Sequence, residues 1–152
     1  MARWSAQVRF GVYTLAALIV RADQRCTWCG CVVEKRGYAI DHVHPRALGG
    51  SDAHTNLVLA CKLCNEKRAD NLGISPALAE RMAEAGRTDV EVWIEVLRQT
   101  VIPIGRGTKA NRDARWLAVA WFGQSMQRDK EHSRAYKAKC KQGKKTPDDV
   151  PF

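Results

Sequence analysis

The sequence predicts an α+β fold, mainly helical, in which a small strand–strand–loop–helix core is stapled by four cysteines and flanked by helical additions at both ends. Three observations predict it. Two C-x-x-C pairs, Cys26/Cys29 and Cys61/Cys64, are separated by 31 residues between Cys29 and Cys61. Between them lie short β-prone runs and a loop with turn residues throughout, from Pro45 and Gly49-Gly50 to Asn56,. On either side the apolar residues recur at helical spacing. A 45% hydrophobic content can build a packed core at this length,.

In chain order, residues 4–22 read as a helix, with Val8, Val12, Leu15, Ala16 and Ile19 on one face and Gly11 weakening its middle,. Cys26–Gly30 is a tight metal-knuckle turn. Cys31–Glu34 and Tyr38–Asp41 read as two short strands joined by Lys35-Arg36-Gly37,. Residues 43–56 form a long loop, and such loops are more often functional than idle. Lys62–Asn71 reads as a short helix. Ser75-Pro76 caps the next, which stops at Gly86,. Thr88-Asp89-Val90-Glu91 is a capping-box pattern, and the helix behind it sets Val90, Trp93, Ile94, Leu97 and Val101 at core spacing,. Pro103, Gly105 and Gly107 then make a linker. A last helix from about Asn111 carries Leu117, Ala118, Trp121 and Phe122 as its apolar stripe, with Trp116 also expected in the core, and its tail frays from Gly143. The expected division is residues 1–102 as the core domain with its helices, and residues 103–152 as linker, long basic helix and tail.

Charge points to a polyanionic partner. The chain carries a formal +9, and the excess is not spread evenly. Residues 98–145 hold 13 Lys/Arg against 3 Asp/Glu, whereas residues 1–97 hold 12 against 11. A basic third of this kind suits nucleic acid phosphates, although a solvated helix face has the same composition. The apolar run Phe10–Val20 is too short to span a bilayer and is bracketed by Arg9 and Arg21, so no membrane partner is expected,. Nothing at the start resembles a secretory signal, so the cysteine pairs are read as metal ligands in an intracellular protein.

Two C-x-x-C turns supply the four soft ligands of a zinc tetrahedron, Cys26, Cys29, Cys61 and Cys64,. Such a site has no open position and is structural. Cys31 and Cys140 are left over, Cys31 near enough to be a rival ligand. Between the pairs lies Asp41-His42. A carboxylate suits a hard cation, and a neutral imidazole can take a proton from water near neutral pH. Asn65 opens the following helix and could join them around one phosphate.

The ordered set Cys26-x-x-Cys29, Asp41-His42-x-x-Pro45, Gly49-Gly50, Asn56-Leu57, Cys61-x-x-Cys64-Asn65 and Arg68 resembles the zinc-containing branch of the HNH endonuclease family over about residues 20–72. The resemblance implies a ββα-metal core. It implies that Asp41 and Asn65 bind a catalytic Mg²⁺ or Mn²⁺, that His42 is the general base, and that Asn56 pins the loop and orients His42. Asn65 stands where many members have histidine, which places the chain nearer the H-N-N variants of some junction-resolving phage nucleases. Arg68, where lysine is usual, would face phosphate, and His44 and Arg46 are further candidate substrate contacts. His44 reads equally as a loop bystander, His54 reads as structural, and His132 has no evident role.

The expected activity is therefore metal-dependent hydrolysis of DNA phosphodiesters by a monomer or homodimer, with specificity low or supplied by a partner protein. RNA as substrate, and a non-catalytic zinc-binding module on nucleic acid, are the competing readings. The presence of Asp41, His42 and Asn65 together favours the enzyme.

Overall fold

The computed structural model describes residues 9–102, 104 and 109–142, excepting the side chains of 109–111, 124–130, 132, 133, 136, 139 and 140. Val8, the linker residues Pro103, Gly105 and Gly107, Arg106 and the tail from Gly143 lie outside it. So do the side chains of Arg128, Lys130, His132, Lys139 and Cys140.

The first full helix is α1, Val12–Arg21. It does not run unbroken from residue 4 through 22 as expected, because Gly11 takes φ +77° and interrupts it,. Val12, Leu15, Ala16 and Ile19 are buried as the periodicity indicates, and Ala17 and Leu18 are buried too. This helix is therefore enclosed on most sides. Its last residue, Arg21, is buried and donates to the carbonyls of His54 (3.0 Å) and Leu57. Burial, with a contribution from Arg98, lowers its pKa to about 10.

The strand assignment requires a correction. Residues 31–34 form no strand: they make an isolated bridge between Arg25 and Val32, and Val33 is buried in the core. Strand β1 is Tyr38–His42, and its antiparallel partner is β2, Leu57–Cys61, which pairs His42 with Leu57 and Tyr38 with Cys61. The order is strand, loop, strand, helix. Every residue of β2 is buried, so it reads as a continuous apolar run rather than an alternation. The intervening loop folds back closely at Gly50, where a Cβ would lie 1.8 Å from the His44 carbonyl oxygen. Only glycine fits there.

Helix α2, Lys62–Arg68, starts directly at the end of β2, and the Cys61 sulfur caps it by accepting from the Cys64 N–H at 3.4 Å. It ends at Arg68, short of Asn71. Helix α3, Pro76–Glu84, is capped by Ser75, whose hydroxyl oxygen accepts from Leu78 N–H. Helix α4, Asp89–Val101, opens on the expected capping box. Its inward face differs from the expected one: Val92, Val96 and Gln99 are buried, Trp93 packs against the core edge-on to Trp28 as expected, and Val90, Ile94, Leu97 and Val101 are exposed. Gln99 selects that face, because its amide bonds Thr27 Oγ1, Glu95 and the Leu59 N–H of β2.

Helix α5, Lys109–Lys141, packs along α1 through Ala114, Leu117, Ala118 and Phe122, with Trp121 and Phe122 against Tyr38. Trp116, expected in the core, is 80% exposed. The fold is thus a small α+β structure in which β2 sits between α1 and α4 and presents β1, the loop and α2 at one edge. Among the described residues, no helix is long and apolar enough to cross a membrane.

Candidate active site and four-cysteine centre

The two C-x-x-C pairs meet. Cys26, Cys29, Cys61 and Cys64 are all buried, and their sulfurs lie within 4.8 Å of one another. A tetrahedron with metal–sulfur bonds of about 2.3 Å needs sulfurs about 3.8 Å apart, and Cys29 and Cys61 stand at 3.9 Å. The hydrogen bond with Cys29 pushes the Cys26 thiol up to about 12 and holds Cys29 well below its ordinary value. Cys31 is exposed and not one of the four. A residue not read from the sequence completes the cluster. Arg81 of α3 donates from Nε to Cys64 Sγ at 3.1 Å and reaches Cys61 and Cys29 at 3.8 and 3.9 Å. A guanidinium against three sulfurs suits a centre in which thiolates concentrate negative charge.

Asp41 and His42 end β1. Asp41 is buried, its Oδ1 accepting from Arg68 at 3.0 Å and its Oδ2 from the indole N–H of Trp28 at 2.9 Å. Burial pushes its carboxyl above the usual carboxylate value, against the pull of Arg68 and Trp28. Arg68 does not face a phosphate. Its side chain has no exposure. Its donors are taken up by Asp41, by the carbonyls of His42 and Val43 (both 2.6 Å), and by those of Leu72 and Gly73, while its plane lies 4.8 Å from the Trp28 ring. A guanidinium carries five N–H donors, and here they stitch β1 to the turn after α2.

That clamp gives a prediction. Arg68→Met should cost roughly 3–5 kcal/mol, because Asp41 is left buried without its partner. Arg68→Lys should recover little, since an ammonium cannot reproduce the planar fork. Urea midpoints would check this. A wild-type midpoint with weakened nucleic acid binding would restore the phosphate-facing role.

His42 is one strand residue further on, so its side chain leaves on the opposite face from Asp41. It is 13% exposed, and its Nε2 lies 2.8 Å from Asp52 Oδ1. Asp52 is also bound by both ends of the Arg9 guanidinium, at 2.9 and 2.6 Å, and the Phe10 ring stands 6.2 Å from the imidazole. The Arg9 hydrogen bond lowers the Asp52 pKa from its ordinary value, and an ionised carboxylate can only accept. In neutral His42 the proton therefore sits on Nε2, leaving the lone pair on Nδ1.

Asn56 ties the loop together. Its Oδ1 accepts from His44 N–H at 2.8 Å, and its Nδ2 donates to the carbonyls of His44 (3.1 Å) and Ser51 (2.8 Å). A backbone bond from Val43 N–H to Asn56 O joins the residue after His42 to the same point. His44 and Arg46 are exposed on this loop, Arg46 lying 3.9 Å from Asp52. Asn65 is half-exposed in the first turns of α2, three residues before Arg68. His54 serves the fold through its carbonyl.

Residues 26–73 match the family described as HNH endonuclease. Over this stretch the chain is similar to HNH endonucleases. The match begins at Cys26 and ends at Gly73, whose carbonyl Arg68 bonds, so it spans both C-x-x-C pairs and the whole strand–loop–strand–helix unit. No curated protein and no solved structure matches the chain. HNH domains are usually nucleases, so nuclease-type chemistry on nucleic acid is the family-level reading. Arg9 and Phe10 lie outside the matched stretch yet border His42, and Arg81 lies outside it yet contacts the cysteines. Asp52 lies inside it but carries no spacing signal that links it to His42.

Proposed function

We propose that the protein is a metal-dependent endonuclease that hydrolyses DNA phosphodiester bonds. The observation that carries this is the His42 imidazole with Nε2 held by Asp52 and Nδ1 left as the basic nitrogen, at the strand end beside Asp41. Asp41 and Asn65 would hold a catalytic Mg²⁺ or Mn²⁺. Their donors are hard oxygens, and such cations take one or two protein ligands and fill the rest with water and phosphate. Asp41 already accepts two hydrogen bonds, but an ionised carboxylate offers about four lone-pair sites. When bound, the cation supplies charge stabilisation at the attacked phosphate and the leaving oxygen.

The chain's own residues do the rest. His42 Nδ1 takes the proton of a water that attacks phosphorus in line with the 3′ oxygen, and Asp52 stabilises the imidazolium that results. The products are 5′-phosphate and 3′-hydroxyl ends. Asn56 keeps His42 and the loop in register. His44 and Arg46 contact the substrate backbone, and the exposed Arg134, Lys137 and Lys141 of α5 extend that contact electrostatically,. The four cysteines hold zinc as a structural staple.

Supercoiled plasmid tests the reading. Zinc-loaded protein should nick or linearise it with Mg²⁺ or Mn²⁺ and stop on chelation, with Mg²⁺ restoring activity where zinc alone does not. Asn65→Ala should raise the Mg²⁺ concentration needed for half-maximal rate by roughly tenfold, in the range seen when metal-site groups are altered. Intact plasmid under every metal condition would leave a non-catalytic nucleic acid module.

A further inference from the structure

Helix α4 carries more apolar surface than the fold uses. Val90, Ile94, Leu97 and Val101 are 68, 61, 63 and 73% exposed, while Val92, Val96 and Gln99 face inward. Isolated exposed apolar residues are ordinary, but these four form a contiguous row on one helix, the form a docking face takes. The steps along this row are four, three and four residues. That is the 3.5-residue period of a two-helix seam, narrower than a core stripe.

We propose that this row is the contact between two copies of the chain, with the α4 helices antiparallel about a two-fold axis crossing between Glu95 and Val96. The row is symmetric about that point in chemistry as well as spacing. Ile94 meets the partner's Leu97 in the centre, and Val90 meets the partner's Val101 at each end. A different protein would impose no such symmetry, whereas an isologous contact requires a self-complementary surface. The flanking charges agree. Glu91 and Arg98 lie seven residues apart on one edge of the row, so the antiparallel arrangement sets Glu91 beside the partner's Arg98 on both sides of the axis. A parallel pair would not bring them together. Glu91 is tied to the Thr88 cap, and Arg98 to Glu95 and to the Arg21 carbonyl at the end of α1 (2.9 Å), so they set alignment more than strength.

Size sets the affinity. A row of four such residues offers a few hundred Å² per copy, short of the roughly 800 Å² per partner of a standard interface. The dimer is therefore weak and concentration-dependent. Each copy carries one HNH site, and a two-fold axis relates the sites as it relates the two strands of a duplex. This last consequence rests on the nuclease reading, but the dimer itself does not.

Sedimentation equilibrium on the zinc-loaded full chain, from low micromolar to several hundred micromolar, is the test. Wild type should move from monomer to dimer. Leu97→Glu should weaken association at least tenfold, while its circular dichroism and thermal midpoint stay unchanged, since the side chain is exposed. In a Val90→Cys/Val101→Cys variant under mild oxidation, peptide mapping should find position 90 of one copy linked to position 101 of the other. A monomer at every concentration would overturn the proposal. So would a Leu97→Glu variant that dimerises like wild type, or links joining 90 to 90 and 101 to 101. None of these readouts requires cleavage, so failure of the dimer and failure of the nuclease reading are separately visible.

Discussion

His42→Ala is expected to slow single-turnover cleavage by about 10²–10⁴-fold, the range for loss of a positioned general base, while leaving the protein folded. The side chain fills little of the core. It touches the Phe10 ring and Asp52, and Asp52 keeps its two-pronged bond to Arg9 when the imidazole is gone. Loss of activity with an unchanged thermal midpoint therefore reports chemistry rather than unfolding. Asp52→Ala should fall between wild type and His42→Ala, because the base survives but its tautomer and orientation are no longer fixed. The double variant should be no slower than His42→Ala alone, since groups that act as a unit are not additive. Cleavage by His42→Ala at the wild-type rate would remove the histidine from the mechanism. Additive losses in the double variant would instead separate Asp52 from it.

Local chemistry carried most of what the sequence made legible. The four-cysteine cluster follows from two short spacings, and the Ser75 and Thr88 caps follow from residues within one helical turn. Features that depend on distant packing are not legible in the sequence. Leu57–Cys61 is an unbroken apolar run, and such a run does not announce a strand by alternation. The short stretch at Cys31–Glu34 therefore reads as the neighbouring strand in its place, although Val32 is exposed. On α4, the pattern 90, 94, 97, 101 is as helical as 92, 96, 99. The buried face is chosen by Gln99, a polar residue that hydrophobic periodicity discounts. For Arg68 the family resemblance implies a phosphate contact, whereas its carboxylate and carbonyl partners lie up to 27 residues away in sequence. The same holds for Asp52 with His42, for Arg9 with Asp52 and for Arg81 with the cysteines. Motif spacing does not encode such pairs.

Cys61→Ser is expected to unfold the domain rather than merely slow it. Cys61 is at once the last residue of β2, the register partner of Tyr38, the cap of α2 and one of the four clustered sulfurs. Serine can serve in the strand and as a cap, so the loss isolates the fourth role. Structural zinc sites contribute on the order of 10–16 kcal/mol of apparent binding free energy in small domains. That is comparable with the whole stability of a typical protein, about 5–15 kcal/mol. The sheet among the described residues has two strands, and a two-stranded unit is marginal without further support. Bound metal per chain, measured after purification, should fall from near one to well below it, with loss of near-ultraviolet circular dichroism and aggregation on warming. A strong zinc chelator should do the same to wild type. Cys31→Ser supplies the control, because Cys31 is exposed and outside the cluster, and it should keep both metal and fold. A soluble, cooperatively folding and zinc-free Cys61→Ser protein would show that packing of β2 against α1 and α4 suffices. The cysteine cluster would then be an adjunct to the fold rather than its staple.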